Sequence, residues 1–115
     1  MTSSAVDNLS RLGITLPDAP APAANYVPYI IVGNMVYVSG QLPLVNGKLS
    51  VTGHVGKDVT TEQAAEQARQ CAINLLAQLN SACGGDLGRV KQVVKLGGFV
   101  AVSYTHLTLP TIRSV

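Results

Sequence analysis

Apolar positions along this chain change spacing several times, and each change falls at Gly, Pro or Asn. Near the start, Val6, Leu9 and Leu12 recur at helical spacing. Ser4 can cap that helix, Asp7 lies at its electropositive end, and Gly13 stops it. Leu16 to Ala24 carries Pro17, Pro20 and Pro22 and reads as an extended connector. From Asn25 the residues become strand formers: Tyr26, Val27, Tyr29, Ile30, Ile31 and Val32, interrupted by Pro28. A proline there implies an edge position or a bulge near the strand start. Met35 to Val38 is a second strand, and Gly33-Asn34 between them can supply the pair of positive φ angles of a tight hairpin. Asn46-Gly47 predicts a second hairpin turn, and residues 50–59, with His54 alone among glycines, read as a loop.

The longest periodic segment follows. Thr60 and Gln63 form a capping box. Ala64, Ala65, Ala68, Cys71, Ala72, Leu75, Leu76, Leu79 and Ala82 then trace a wide apolar stripe, expected to pack on a sheet. Gly84-Gly85 ends the helix, Asp86 to Arg89 turns, and Val90 to Val102 reads as a long strand with Gly97-Gly98 at a bulge. Two hairpin strands, a helix and a further strand make half of an α+β sandwich, with helix on one sheet face.

The most informative local stretch is the exit from the second strand. Ser39 places a hydroxyl at the strand end, Gly40 admits a close neighbour, and Pro43 blocks continuation as a central strand. Those residues also fit an ordinary strand-to-turn transition, as Tyr26 fits an amphipathic edge aromatic.

Composition narrows the class. The chain has 115 residues, 47% hydrophobic and 12% charged, enough for one domain with an aliphatic core. A formal net charge of +2, with no Lys/Arg cluster, gives no phosphate-binding stripe, so no nucleic-acid partner is expected. No apolar run reaches the roughly 20 residues of a membrane span, and Met1-Thr2-Ser3-Ser4 has no secretion-signal pattern. Cys71 and Cys83 on one helix would lie ~18 Å apart, too far for a disulfide, and reduced thiols suit the cytoplasm. Neither has a ligand partner at metal-binding spacing, and both read as small core residues.

The order of these motifs resembles the RidA/YjgF family, the reactive enamine/imine deaminases. Gly33-Asn34-Met35, Ser39-Gly40-Gln41-x-Pro43, the Ala-Ala-x-x-Ala-Arg run ending at Arg69, and Gly84-x-Asp86-Leu87 before Val90-Lys91 match it in spacing. Leu12-Gly13-Ile14 with Pro20 to Tyr26 is similar to a subgroup with an N-terminal extension. The resemblance implies a chorismate-mutase-like α+β fold with helices on one sheet face, and a cytoplasmic homotrimer with clefts between subunits. It implies hydrolysis of 2-imino or 2-aminoacrylate intermediates to 2-keto acids and ammonia, with neither metal nor cofactor. By position, Tyr26 would line the cleft, and Ser39, Gly40 and Gln41 would face substrate.

The family's carboxylate-binding Arg and acidic residue belong to a C-terminal third that has no counterpart here, so no catalytic residue is assigned. Val102-Ser103-Tyr104-Thr105-His106-Leu107-Thr108-Leu109-Pro110-Thr111 instead looks like a translated transposase sequencing-library adapter. The expected organisation is residues 1–24 as helix and connector, 25–102 as a partial domain truncated after its third main strand, and 103–115 as a non-native tail. The parent is then an imine hydrolase and this chain an inactive part of it. The alternatives are a non-catalytic trimeric module binding small carboxylates or a partner, and a ribonuclease or translation inhibitor.

Overall fold

The computed structural model describes residues 4–19 and 27–102, with Ser4 described by its backbone alone. Expectations resting on Tyr26, on Pro20 and Pro22, on the Ser4 hydroxyl and on residues 103–115 lie outside the described residues. The regular elements are α1 (Ser4–Arg11), β1 (Tyr29–Val32), β2 (Met35–Val38) and α2 (Thr61–Ala82), followed by a 3-10 turn at Leu87–Arg89.

Both helices end by one device. After α1, Gly13 takes φ 69°, its N–H reaches Ser10 O at 3.1 Å, and Ile14 N–H reaches Leu9 O at 2.9 Å. After α2, Gly84 takes φ 67°, with Gly84 N–H to Ser81 O at 3.1 Å and Gly85 N–H to Asn80 O at 2.8 Å. These paired bonds form the Schellman motif, which satisfies terminal carbonyls and favours glycine at its left-handed position. At the start of α2 the capping box is complete: Gln63 N–H donates to Thr60 Oγ1 at 3.1 Å, and Thr60 N–H to Gln63 Oε1 at 2.9 Å.

β1 and β2 pair antiparallel, from Tyr29↔Val38 to Val32↔Met35. Only Gly33 of the two turn residues has positive φ, 58°, the pattern of a type II′ turn, so Asn34 is not the second left-handed residue expected of it. That pair occurs instead at Asn46 (φ 52°) and Gly47 (φ 77°). There Val45 and Lys48 exchange backbone bonds of 2.9 and 3.0 Å. Tyr29, Val36 and Val38 are half-buried toward α2, whereas Ile30, Val32, Met35 and Tyr37 form an exposed apolar back face.

The docked face of α2 differs from the expected one. Its buried residues are Ile73, Asn74, Ala77 and Gln78. Ala65, Ala68 and Ala72 are exposed, and Leu75, Leu76 and Leu79 only half-buried. The face toward the hairpin carries a row of amides and hydroxyls, Gln63, Gln67, Gln70, Asn74, Gln78 and Ser81, at helical spacing. The Ala/Leu stripe lies roughly 120° around the helix from it. Hydrogen bonds select this orientation: Asn74 and Gln70 reach carbonyls beyond β2, and Ser81 Oγ lies 3.2 Å from Tyr29 Oη.

The long strand expected from Val90 to Val102 is not a regular strand. Only single bridge positions occur, at Leu96 and Val102, the latter opposite Val55. Val55 N–H donates to Ala101 O at 2.9 Å, while residues 91–101 are exposed and Phe99 is 96% so. A β-rich sequence becomes a strand only where a neighbour completes its ladder. The small core comprises Val59, Ile73, Ala77, Cys83 and Leu87.

Candidate functional site at the exit from β2

Beyond Val38 the hairpin ladder continues for one step. Ser39 N–H donates to Pro28 O at 2.9 Å. Pro28 has no N–H to return, so regular pairing stops there. The Ser39 hydroxyl takes up the tie, donating to Val27 O at 2.7 Å. The Ser39 proton is thus committed to the backbone, and its oxygen remains able to accept from a ligand or water.

Gln41 closes the corner locally. Its Nε2 donates to Ser39 O at 2.9 Å and to Gly40 O at 3.4 Å, which leaves Oε1 as an acceptor. The backbone N–H groups of Gly40 and Gln41 meet no acceptor among the described residues. A Cβ built on Gly40 would meet nothing within 4 Å. Nothing in the folding of these residues therefore demands glycine there, and the position stands open. Ser39, Gly40 and Gln41 together offer two backbone donors and two side-chain acceptors on one half-exposed turn. Tyr26, the fourth predicted site residue, lies outside the described residues.

No titratable side chain among the described residues hydrogen-bonds to this corner. Among the described residues no cation hydrogen-bonds to Ser39, Gly40 or Gln41. Arg11 donates to Asn8 Oδ1 at 2.8 Å, and Arg89 to Cys83 O at 3.3 Å, closing the end of α2. Within the described residues no group of His, Cys, Asp and Glu could hold a metal ion, and no helix is long and apolar enough to cross a membrane. Cys71 and Cys83 are free thiols, and partial burial pushes the Cys71 thiol up. An open depression at the start of α2, lined by Lys57, Asp58, Thr60 and Glu62 among others, contains none of the predicted site residues.

The residues that hold the corner in place were not singled out from the sequence. Asn74 Nδ2 donates to Leu42 O and to Leu44 O, each at 2.9 Å. Gln70 Nε2 donates to Asn74 Oδ1 at 3.1 Å and to Leu44 O at 3.3 Å. The signal available was the amide row itself, which keeps helical period as well as the alanines and leucines do.

Residues 7–113 match the family model described as "YjgF/chorismate_mutase-like, putative endoribonuclease", a range that runs into the segment read above as a tail. The chain is 48% identical over 93 residues to protein TCP17 of Trypanosoma cruzi, covering 81% of this chain and 58% of that protein. It is 38% identical over 96 residues to the 2-iminobutanoate/2-iminopropanoate deaminase of Escherichia coli K12, covering 81% of this chain and 68% of that protein. Among solved structures it is similar to Atu1372 of Agrobacterium tumefaciens, a protein of unknown function, with TM-score 0.65, 48% identity, and coverage of 76% of this chain and 51% of that one. A Shewanella oneidensis MR-1 protein named a "putative endoribonuclease" gives TM-score 0.70 at 40% identity, over 76% of this chain and 57% of that one. The chain thus spans little more than half the length of TCP17 and of these solved relatives. With its α+β hairpin-and-helix arrangement matched across most of its residues, the chain belongs to the YjgF/chorismate-mutase-like (RidA/YjgF) family.

Proposed function

We propose that the full-length parent of this chain hydrolyses reactive 2-imino and 2-aminoacrylate intermediates to 2-keto acids and ammonia. The observation that carries this reading is the 38% identity to a 2-iminobutanoate/2-iminopropanoate deaminase over 81% of this chain. Any stretch of that length includes both the Ser39–Gln41 corner and α2.

The corner suits such a substrate. Water adds to the C=N carbon, and the tetrahedral adduct expels ammonia to leave the C=O of the keto acid. The Gly40 and Gln41 N–H groups are donors for the substrate carboxylate or for charge developing on the adduct. Ser39 Oγ and Gln41 Oε1 are acceptors that can orient the attacking water. Protons then move through water, because no described residue of the corner is a general acid. The carboxylate still needs a fixed cation, supplied from outside the described residues or by another subunit. A homotrimer with clefts between subunits fits that need.

The test is ammonia release from 2-iminobutanoate generated in situ by an amino-acid oxidase. In an active protein, Ser39→Ala lowers kcat/KM by more than tenfold, while loss of the Val27 bond costs about 1 kcal/mol of stability. Unchanged turnover per folded molecule would make Ser39 a purely structural tie. Binding of 2-oxobutanoate without ammonia release would identify a carboxylate-binding module instead, and RNA cleavage would support the ribonuclease reading.

A further inference from the structure

We propose that Asn74, seated by Gln70, is a positioning residue that sets the Ser39–Gln41 corner. Asn74 is 1% exposed and among the most buried side chains of the chain. Burying an amide is unfavourable unless its hydrogen bonds are made, and an apolar residue would fill a helix face without that cost. Here both Nδ2 hydrogens are used on Leu42 O and Leu44 O, and Oδ1 accepts from Gln70. Both donor hydrogens of one side chain are directed at one short segment, and its oxygen is held by Gln70 of the same helix.

Little else restrains that segment. Residues 39–44 belong to no strand. Leu42 is 45% exposed, so its side chain anchors weakly. Pro43 has no N–H and limits φ between the two clamped carbonyls. Leu44 N–H folds back on Leu42 O at 2.8 Å, making a compact turn whose carbonyls both face α2. At its other end the corner is tied to Pro28 O and Val27 O through Ser39. The Gly40 and Gln41 N–H groups are therefore suspended between two fixed points, the hairpin and Asn74. A local polar network of this kind specifies one geometry more sharply than apolar packing does. Its consequence for turnover rests on the imine-hydrolysis reading, and its consequence for corner geometry does not.

Amide hydrogen exchange on the 115-residue chain tests the clamp. Asn74→Asp is nearly isosteric, removes both donors and sets a carboxylate against two carbonyls. Ile73→Ala, at a buried position that makes no hydrogen bond to the exit, controls for general destabilisation. The expected result for Asn74→Asp is that the Leu44 and Ser39 amides exchange about tenfold faster relative to the β1–β2 amides. In Ile73→Ala all these amides quicken together and the ratio stays put. Gln70→Ala shifts the ratio in the same direction by less, and decides the matter should Asn74→Asp not fold. The same ratio in Asn74→Asp and Ile73→Ala overturns the proposal. So does quickening confined to Leu44, which would show that the clamp does not reach the corner. Ammonia release is measured alongside on the unsubstituted chain extended in frame to the length of its relatives: its absence counts against the hydrolysis reading and leaves the exchange ratio to judge the clamp.

Discussion

At Gly33 and Asn46 the backbone enters the left-handed region for different turns, and the local residues account for both. Asn46-Gly47 carries positive φ at two successive positions, whereas Gly33 alone does so in the β1–β2 turn. Turn position was therefore legible in the sequence and turn type only partly, because Asn34 is equally at home with negative φ. Ser39 was legible as a strand-end hydroxyl, but its bond to Val27 O requires knowing that residue 27 lies opposite residue 40 in register. Cys71 illustrates how environment alters a residue's chemistry. Burial holds its thiol above the ordinary value, so the folded chain retains that proton more tightly than the unfolded chain does. Its contribution to stability is complete below the unfolded thiol's pKa and is lost as pH rises through the folded one. Alkylation of Cys71 by iodoacetamide, followed by peptide mass spectrometry, should show a higher pH midpoint in the folded chain than in urea. A lower midpoint in the folded chain would contradict this.

The element that most changes the picture is α2. Its start and end were readable because caps are local: Thr60 with Gln63, and Gly84 after the last turn. Its docked face was not. Counting apolar residues favours the Ala/Leu stripe, yet the amide row packs inward because Leu42 O and Leu44 O need donors. Substitution should reveal the orientation. Ile73→Ala is expected to cost about 2–4 kcal/mol in denaturant unfolding, and Leu75→Ala and Leu76→Ala each clearly less. A larger loss at Leu75 or Leu76 would restore the orientation expected from the stripe. The Val90–Val102 segment escaped sequence reading for a related reason. Its Val, Leu and Phe residues specify extended backbone, but a ladder is a property of two strands, and the described neighbours supply only the Val55 bridge.

Among the described residues, apolar surface is left open on the hairpin back face, along the Ala/Leu stripe of α2, and on the segment that includes Phe99 and Val100. Patches of this kind mark surfaces that associate. Sedimentation of the 115-residue chain should accordingly show a mass that rises with concentration, and a monodisperse monomer at high concentration would contradict that expectation. On the proposed imine-hydrolysis reading, the corner provides neutral donors and acceptors, and the cation for a substrate carboxylate comes from outside the described residues. The most direct measurement is ammonia release from freshly generated 2-iminobutanoate, comparing the 115-residue chain with the same chain extended in frame to the length of its relatives. The extended protein is predicted to accelerate release well above the uncatalysed rate, and the 115-residue chain to leave it unchanged. No acceleration by either would contradict imine hydrolysis, and equal acceleration by both would show that the described corner needs no cation from outside.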